Sequence, residues 1–176
     1  MTMDDPDAMA PDLSRAALSA LCRTLPADGL RLPDVAALER FAARLAEALV
    51  AALAHAPVVV SLDGDLGAGK TTLARALLHV LGHSGPVKSP TYTLFETYRV
   101  AGHEVAHVDL YRVIDPQELE LIGFDELVAR TDLLLVEWAS QGGRWMPEVD
   151  LAIRLETLDE GGRHLTLELP PIPSTL

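Results

Sequence analysis

The sequence predicts an α/β fold, a mixed β-sheet flanked by helices with antiparallel hairpins added to it. Three observations lead there. A β-branched run, Val58-Val59-Val60 with Leu62, enters a glycine-rich turn and then a helical period from Thr71 to Leu81, the strand–turn–helix order of an α/β unit. A second apolar run, Leu133 to Val136, is short and unbroken, as a strand buried on both faces should be. Two further pairs of segments carry strand residues and are joined by short glycine-containing turns, as hairpins are.

Each element follows in chain order. Residues 1–26 read as an N-terminal extension: a tail with four Asp and two Pro through Asp12, then a short helix, Leu13 to Leu25, stopped by Pro26. Residues 27–170 form the main domain. Asp34 caps a helix whose Val35, Leu38, Phe41, Ala42, Leu45 and Leu49 recur at three- and four-residue spacing, and Pro57 ends that segment. The strand Val58–Leu62 and the helix Thr71–Leu81 follow, the latter closed by Gly82. Thr91 to Val100, rich in Thr, Tyr and Phe, reads as a strand that turns at Ala101-Gly102-His103 and returns as Glu104 to Leu110. Asp115-Pro116-Gln117-Glu118 is a capping box with proline at the first helical position, so a short helix should run to Gly123. After Leu133–Val136, the alternating segments Leu151–Leu155 and His164–Leu169 make a C-terminal hairpin, and 171–176 form an irregular tail.

Composition excludes several functions. An apolar fraction of 49% over 176 residues excludes a disordered chain and suits one domain. Twenty-six acidic residues against 14 basic ones give a net charge of −12, the wrong sign for gripping nucleic acid through its phosphates. One cysteine, Cys22, excludes an internal disulfide and a Cys-rich zinc site. The acidic start lacks the features of a signal peptide, and the apolar stretch 48–60 is short and broken by His55 and Pro57. A cytoplasmic protein without a membrane partner is expected. Only two of the basic residues are lysines, Lys70 and Lys88.

Lys70 lies in Gly64-Asp65-Leu66-Gly67-Ala68-Gly69-Lys70-Thr71, which fits G-x-x-x-x-G-K-[ST]. A chance match in a chain of this composition is on the order of one in a thousand. Glycines let successive backbone N–H groups turn inward on phosphate oxygens, and the following helix adds its N-terminal dipole. Residues Asp65, Leu66, Gly67, Ala68, Gly69, Lys70, Thr71 and Thr72 are therefore the expected ATP/ADP-binding segment of a P-loop NTPase-like fold. Lys70 reaches the β- and γ-phosphates and the Thr71 hydroxyl is a Mg²⁺ ligand. A second metal-side acid belongs at the end of a neighbouring strand. Asp109 and Glu137 both end strands, so both stand as metal and catalytic candidates beside Lys70. No Asn-Lys-x-Asp guanine reader is present, which leaves adenine as the base. The pairs His79/His83 and His103/His107 read as surface or hydrogen-bonded histidines rather than a zinc site. Ser140 lacks a nucleophile-elbow context.

The loop, together with Val87-Lys88-Ser89-Pro90-Thr91, Glu118-Leu119-Glu120-Leu121-Ile122-Gly123, His107-Val108-Asp109-Leu110-Tyr111-Arg112 and Glu137-Trp138, resembles the TsaE (YjeE) family over roughly Leu30 to Leu169. That resemblance implies a P-loop ATPase of tRNA threonylcarbamoyladenosine biosynthesis that binds the TsaB–TsaD complex and resets it between turnovers by slow hydrolysis, meeting tRNA only indirectly. It further implies a switch-like segment at Ser89-Pro90-Thr91, an essential aspartate at Asp109 and a Walker B-like acid at Glu137. The chain departs from the family in having Ala139 after Glu-Trp and no Thr near Ala37 and Leu38, and its residues 1–26 lie outside the pattern; Arg163 stands where the family often has an arginine before its last strand and reads as a turn arginine, with a base-side contact as the alternative. Two alternatives use the same loop: a small-molecule kinase, with Arg144, Arg154 and Arg163 as its arginines, and a nucleotide-dependent binding module without significant catalysis.

Overall fold

The computed structural model describes residues 12–171; the readings of an acidic tail before Asp12 and an irregular tail after Pro171 lie outside the described residues. The chain begins with helix α1 (Leu13–Arg23), capped by Asp12, whose Oδ1 accepts from Arg15 N at 3.0 Å. A three-residue strand, β1 (Leu30–Leu32), leads to α2 (Val35–Leu53), and Asp34 caps α2 by accepting from Ala37 N at 2.7 Å. Then come β2 (Val58–Asp63), the glycine loop, α3 (Lys70–Val80), and the hairpin of β3 (Phe95–Val100) and β4 (His103–Asp109). Two short helices, α4 (Glu118–Leu121) and α5 (Phe124–Ala129), precede β5 (Leu133–Glu137). A 3₁₀ segment (Ala139–Trp145) leads to the hairpin of β6 (Leu151–Thr157) and β7 (Arg163–Glu168).

The seven strands form one sheet in the order β1-β7-β6-β2-β5-β4-β3. The four central strands, β6, β2, β5 and β4, run parallel to one another. The flanking pairs β6–β7, β1–β7 and β3–β4 are antiparallel. This is the mixed, helix-flanked sheet that the alternating elements predict, with both hairpins as its outer additions. Parallel alignment places the end of β2, the end of β4 and the end of β5 at one edge. Asp109 and Glu137 are register partners there, and Leu62 pairs with Glu137 just before the loop.

Strand alternation divides the core in two. One face packs Val60, Leu62, Val105, Leu133 and Leu135 under α1, α2 and α3. The other packs Ala106, Val108, Leu134 and Val136 under α4 and α5. Helix α1 belongs to the first cluster through Leu18, which is fully buried, and Leu21. Ser14 Oγ also donates to the Ala52 carbonyl at 2.9 Å. At the opposite end of the sheet from the loop, Asp150 Oδ2 accepts from Val59 N at 2.8 Å, and burial pushes the Asp150 carboxyl above its usual range.

The strand expected from Thr91 begins only at Phe95. Leu94 has a φ of 65°, in the left-handed region, so the ladder cannot extend through it, and residues 91–93 form a turn. The capping box at Asp115 forms as expected: Gln117 N donates to Asp115 Oδ1 at 2.9 Å and Asp115 N donates to Glu118 Oε1 at 3.1 Å. The helix it starts is only one turn long. Gly123, at φ 70°, redirects the chain into a second short helix, α5, beyond the one the capping box predicts.

Candidate functional site

The loop between β2 and α3 is shaped by glycines with specific duties. A Cβ on Gly64 would lie 2.1 Å from the Leu155 carbonyl oxygen, so only glycine permits β2 to leave the sheet beside β6. Gly69, at φ 111°, caps α3 in a conformation that side chains resist. With these turns made, the first N–H groups of an 11-residue helix open onto the sheet edge.

Lys70, Asp109 and Glu137 are 4%, 3% and 3% exposed, so three ionisable groups sit almost wholly buried at one spot. Buried charges need partners. Lys70 Nζ donates to the carbonyls of Gly64 (2.6 Å) and Asp65 (2.8 Å) and lies 4.5 Å from the centroid of the Trp138 ring. Thr71 Oγ1 donates to Glu137 Oε1 at 2.7 Å, tying the first turn of α3 to the end of β5. Thr91 Oγ1 donates to Asp109 Oδ2 at 2.5 Å and is 2.7 Å from Ser89 Oγ, while Tyr111 N donates to Asp109 Oδ1 at 3.0 Å. The segment after α3 is thereby tied to β4. Together these side chains line a cleft of about 170 Å³ that also takes in Leu66, Gly67, Gly69, Thr72 and Trp138.

The donor chemistry at the cleft is hard: the hydroxyls of Thr71, Thr72, Ser89 and Thr91 and the carboxylates of Asp109 and Glu137. Among the described residues no group of three or more His, Cys, Asp or Glu side chains could hold a metal by itself. That suits Mg²⁺, which keeps waters and takes only one or two protein ligands alongside substrate phosphates.

Beside the cleft, across α3, a second groove of about 250 Å³ is lined by Leu32, Pro33, Val35, Leu38, Thr72 and Arg163. Arg163 crosses from β7 to brace the loop from outside. Its Nε donates to Ala68 O (2.7 Å), its Nη2 to Gly67 O (3.1 Å) and its Nη1 to Gly162 O (2.7 Å). Trp138 holds a left-handed φ of 60°, strained for so bulky a residue, with its ring 5.1 Å from that of Tyr111.

Of the residues singled out in the sequence, Leu66, Gly67, Gly69, Lys70, Thr71, Thr72, Asp109 and Glu137 all line the one cleft. Asp65 and Ala68 are not in its lining: Asp65 O accepts from Lys70 Nζ, and Ala68 O is turned to Arg163 outside the loop. Arg144 and Arg154 are not part of its lining. Two contributors escaped the sequence reading. Arg163 was read as a turn residue and instead grips the loop. His107, set aside as surface or hydrogen-bonded, is fully buried with Nε2 2.9 Å from Glu137 Oε1. Its position two residues before Asp109 on a strand was the available signal, since both must then face the same side.

Comparison with known proteins follows the same outline. Residues 32–165 match the family model for the threonylcarbamoyl adenosine biosynthesis protein TsaE. The chain is 43% identical over 129 residues to the tRNA threonylcarbamoyladenosine biosynthesis protein TsaE of Haemophilus influenzae, covering 73% of this chain and 82% of that protein. It is 36% identical over 118 residues to the Bacillus subtilis protein of the same name, covering 67% and 73%. The crystal structure of Bacillus subtilis YdiB superposes with a TM-score of 0.62 at 27% identity, covering 80% of this chain and 83% of that one. No helix among the described residues is long and apolar enough to cross a membrane.

Proposed function

We propose, since this chain belongs to the TsaE family of tRNA threonylcarbamoyladenosine biosynthesis proteins, that it binds ATP and hydrolyses it slowly to ADP and phosphate with Mg²⁺. In this reading it engages the TsaB–TsaD complex and resets that complex between turnovers. The observation that carries the reading is the Thr71–Glu137 hydrogen bond at the mouth of the glycine loop, with the buried Lys70 ammonium in the same cleft.

The roles follow from chemistry. Loop amides and the start of α3 receive the β- and γ-phosphates. Lys70, now held by two loop carbonyls, exchanges them for phosphate oxygens, which are better partners for an ammonium. Mg²⁺, when bound, supplies charge neutralisation across the β- and γ-phosphate oxygens. Thr71 and Glu137 are the residues that would hold it, with Asp109 beside them. In this reading Asp109, which accepts from Thr91 Oγ1 and the Tyr111 amide, orients the attacking water and accepts its proton. The groove of Leu32, Pro33, Val35 and Leu38, which also takes in Asp34 and Arg163, is the seat assigned to the base, because it shares Gly69 and Thr72 with the phosphate cleft.

The test is isothermal calorimetry with ATP and ADP in Mg²⁺, together with phosphate release with and without TsaB–TsaD. Nucleotide heat that disappears in Lys70→Ala is expected. Absence of heat in the unmodified protein overturns the reading.

A further inference from the structure

We propose that His107 is a positioning residue that sets the orientation of Glu137 toward the metal side of the cleft. This inference rests on the reading that Thr71 and Glu137 serve a Mg²⁺–nucleotide complex. His107 is 0% exposed and does not line the cleft, so it touches neither substrate nor solvent. Its one polar contact is Nε2 with Glu137 Oε1 at 2.9 Å, and Nδ1 is buried without a partner among the described residues. A carboxylate oxygen can only accept, so Nε2 carries the hydrogen. Nδ1 has no acceptor within reach among the described residues, so the ring offers Glu137 a single donor aimed at one oxygen.

Glu137 Oε1 therefore takes two donors, His107 from β4 and Thr71 from α3. With Thr71 alone the carboxylate could swing about one bond, and that hydroxyl is itself engaged by the nucleotide complex. With His107 as the second anchor, the Glu137 plane is fixed and Oε2 is left to the cleft. The anchor lies on β4, the strand neighbouring β5, at a fully buried position whose register partner is Leu135. Partners of this kind behind a metal-side ligand typically contribute a 10–100-fold effect on metal affinity or activity.

The test compares His107→Leu, which keeps volume without a donor, with His107→Gln, whose amide nitrogen can replace Nε2. ATP affinity is measured by calorimetry with Mg²⁺ and with EDTA. The Leu variant should lose roughly tenfold or more of the gain that Mg²⁺ gives, with metal-free affinity unchanged within about twofold, and Gln should restore the gain. A gain kept by Leu, an equal loss in Gln, or an equal fall in metal-free affinity overturns the proposal. If the Leu variant does not unfold cooperatively, the Gln and Asn variants decide: Asn is too short to reach Oε1, so equal gains in the two overturn the proposal. Failure of the unmodified protein to bind ATP overturns the parent reading, whereas normal binding with unresponsive variants overturns only the role of His107.

Discussion

Arg163 shows how one side chain can shape a loop it does not belong to. Two guanidinium hydrogen bonds hold the Gly67 and Ala68 carbonyls of the loop, and a third, to the neighbouring Gly162 carbonyl, holds the guanidinium itself. Hydrogen bonds from a charged donor contribute about 1.5–3 kcal/mol each when both partners are shielded. Arg163→Ala should weaken ADP binding in calorimetry by about tenfold or more while shifting the melting temperature only slightly. Arg163→Lys should not rescue it, because one ammonium cannot reproduce the fork. A different kind of residue effect is expected at Asp150. Its folded-state pKa is raised by burial, so its contribution to stability is fully present below the ordinary carboxylate pKa and is lost as pH rises through the higher folded value. Asp150→Asn, whose amide oxygen can still accept from Val59 N, should melt at least as high as the parent near pH 7. That advantage should vanish in melting curves at acid pH. The site was legible where residue type is dictated by chemistry, as at Lys70, Thr71, Asp109 and Glu137. Arg163 was not, because the carbonyls it holds are 95 residues away and nothing local marks the pairing; for His107 the only local mark is its place two residues before Asp109 on the same strand face.

Among elements, α1 lies outside the region matched to the family, residues 32–165, yet it shares the domain's core. Leu18 is fully buried, Ser14 is hydrogen-bonded to the end of α2, and Arg15 Nη2 donates to the Pro170 carbonyl at 2.6 Å. The helix thus clasps α2 to the segment that follows β7. Leu18→Ala should cost about 2–5 kcal/mol, read as a lower urea midpoint with an unchanged slope. Nucleotide affinity should be unaffected, because the clasp is remote from the cleft. A midpoint shift near zero would mean that α1 rides on the domain without supporting it. The long periodic elements, α2, α3 and the central strands, were readable because a buried face imposes its period on many residues. Strand β1 was not readable: three residues, Leu-Arg-Leu, carry no period, and their conformation is decided by pairing with β7 about 130 residues later. The early start predicted for β3 failed for a related reason. Its Thr and Tyr residues have strand propensity, but Thr91 is drawn instead to Asp109.

At the scale of the whole molecule, charge and topology bear on how the protein acts. The net charge of −12 repels a polyanion, so tRNA binding by the chain alone should be undetectable at physiological salt below about 100 μM in a filter or fluorescence assay. The parallel centre of the sheet gathers the loop, Asp109 and Glu137 at one edge, but the cleft they line contains a single cation, Lys70. No arginine is in its lining: Arg163 is spent on the loop carbonyls, and Arg112 stacks 4.2 Å from the Tyr92 ring centroid. Phosphoryl transfer spreads negative charge over the γ-phosphate oxygens, and an arginine supplied by a partner accelerates such sites by factors on the order of 10³–10⁵. A cleft with one ammonium should therefore turn over slowly by itself. Adding TsaB–TsaD should raise phosphate release about tenfold or more if that complex completes the charge balance, and Arg112→Ala should leave the isolated chain's rate unchanged. A rate indifferent to the partners would show that the charge is balanced within the chain, and would shift attention back to Lys70 and the loop amides as the whole of the catalytic machinery.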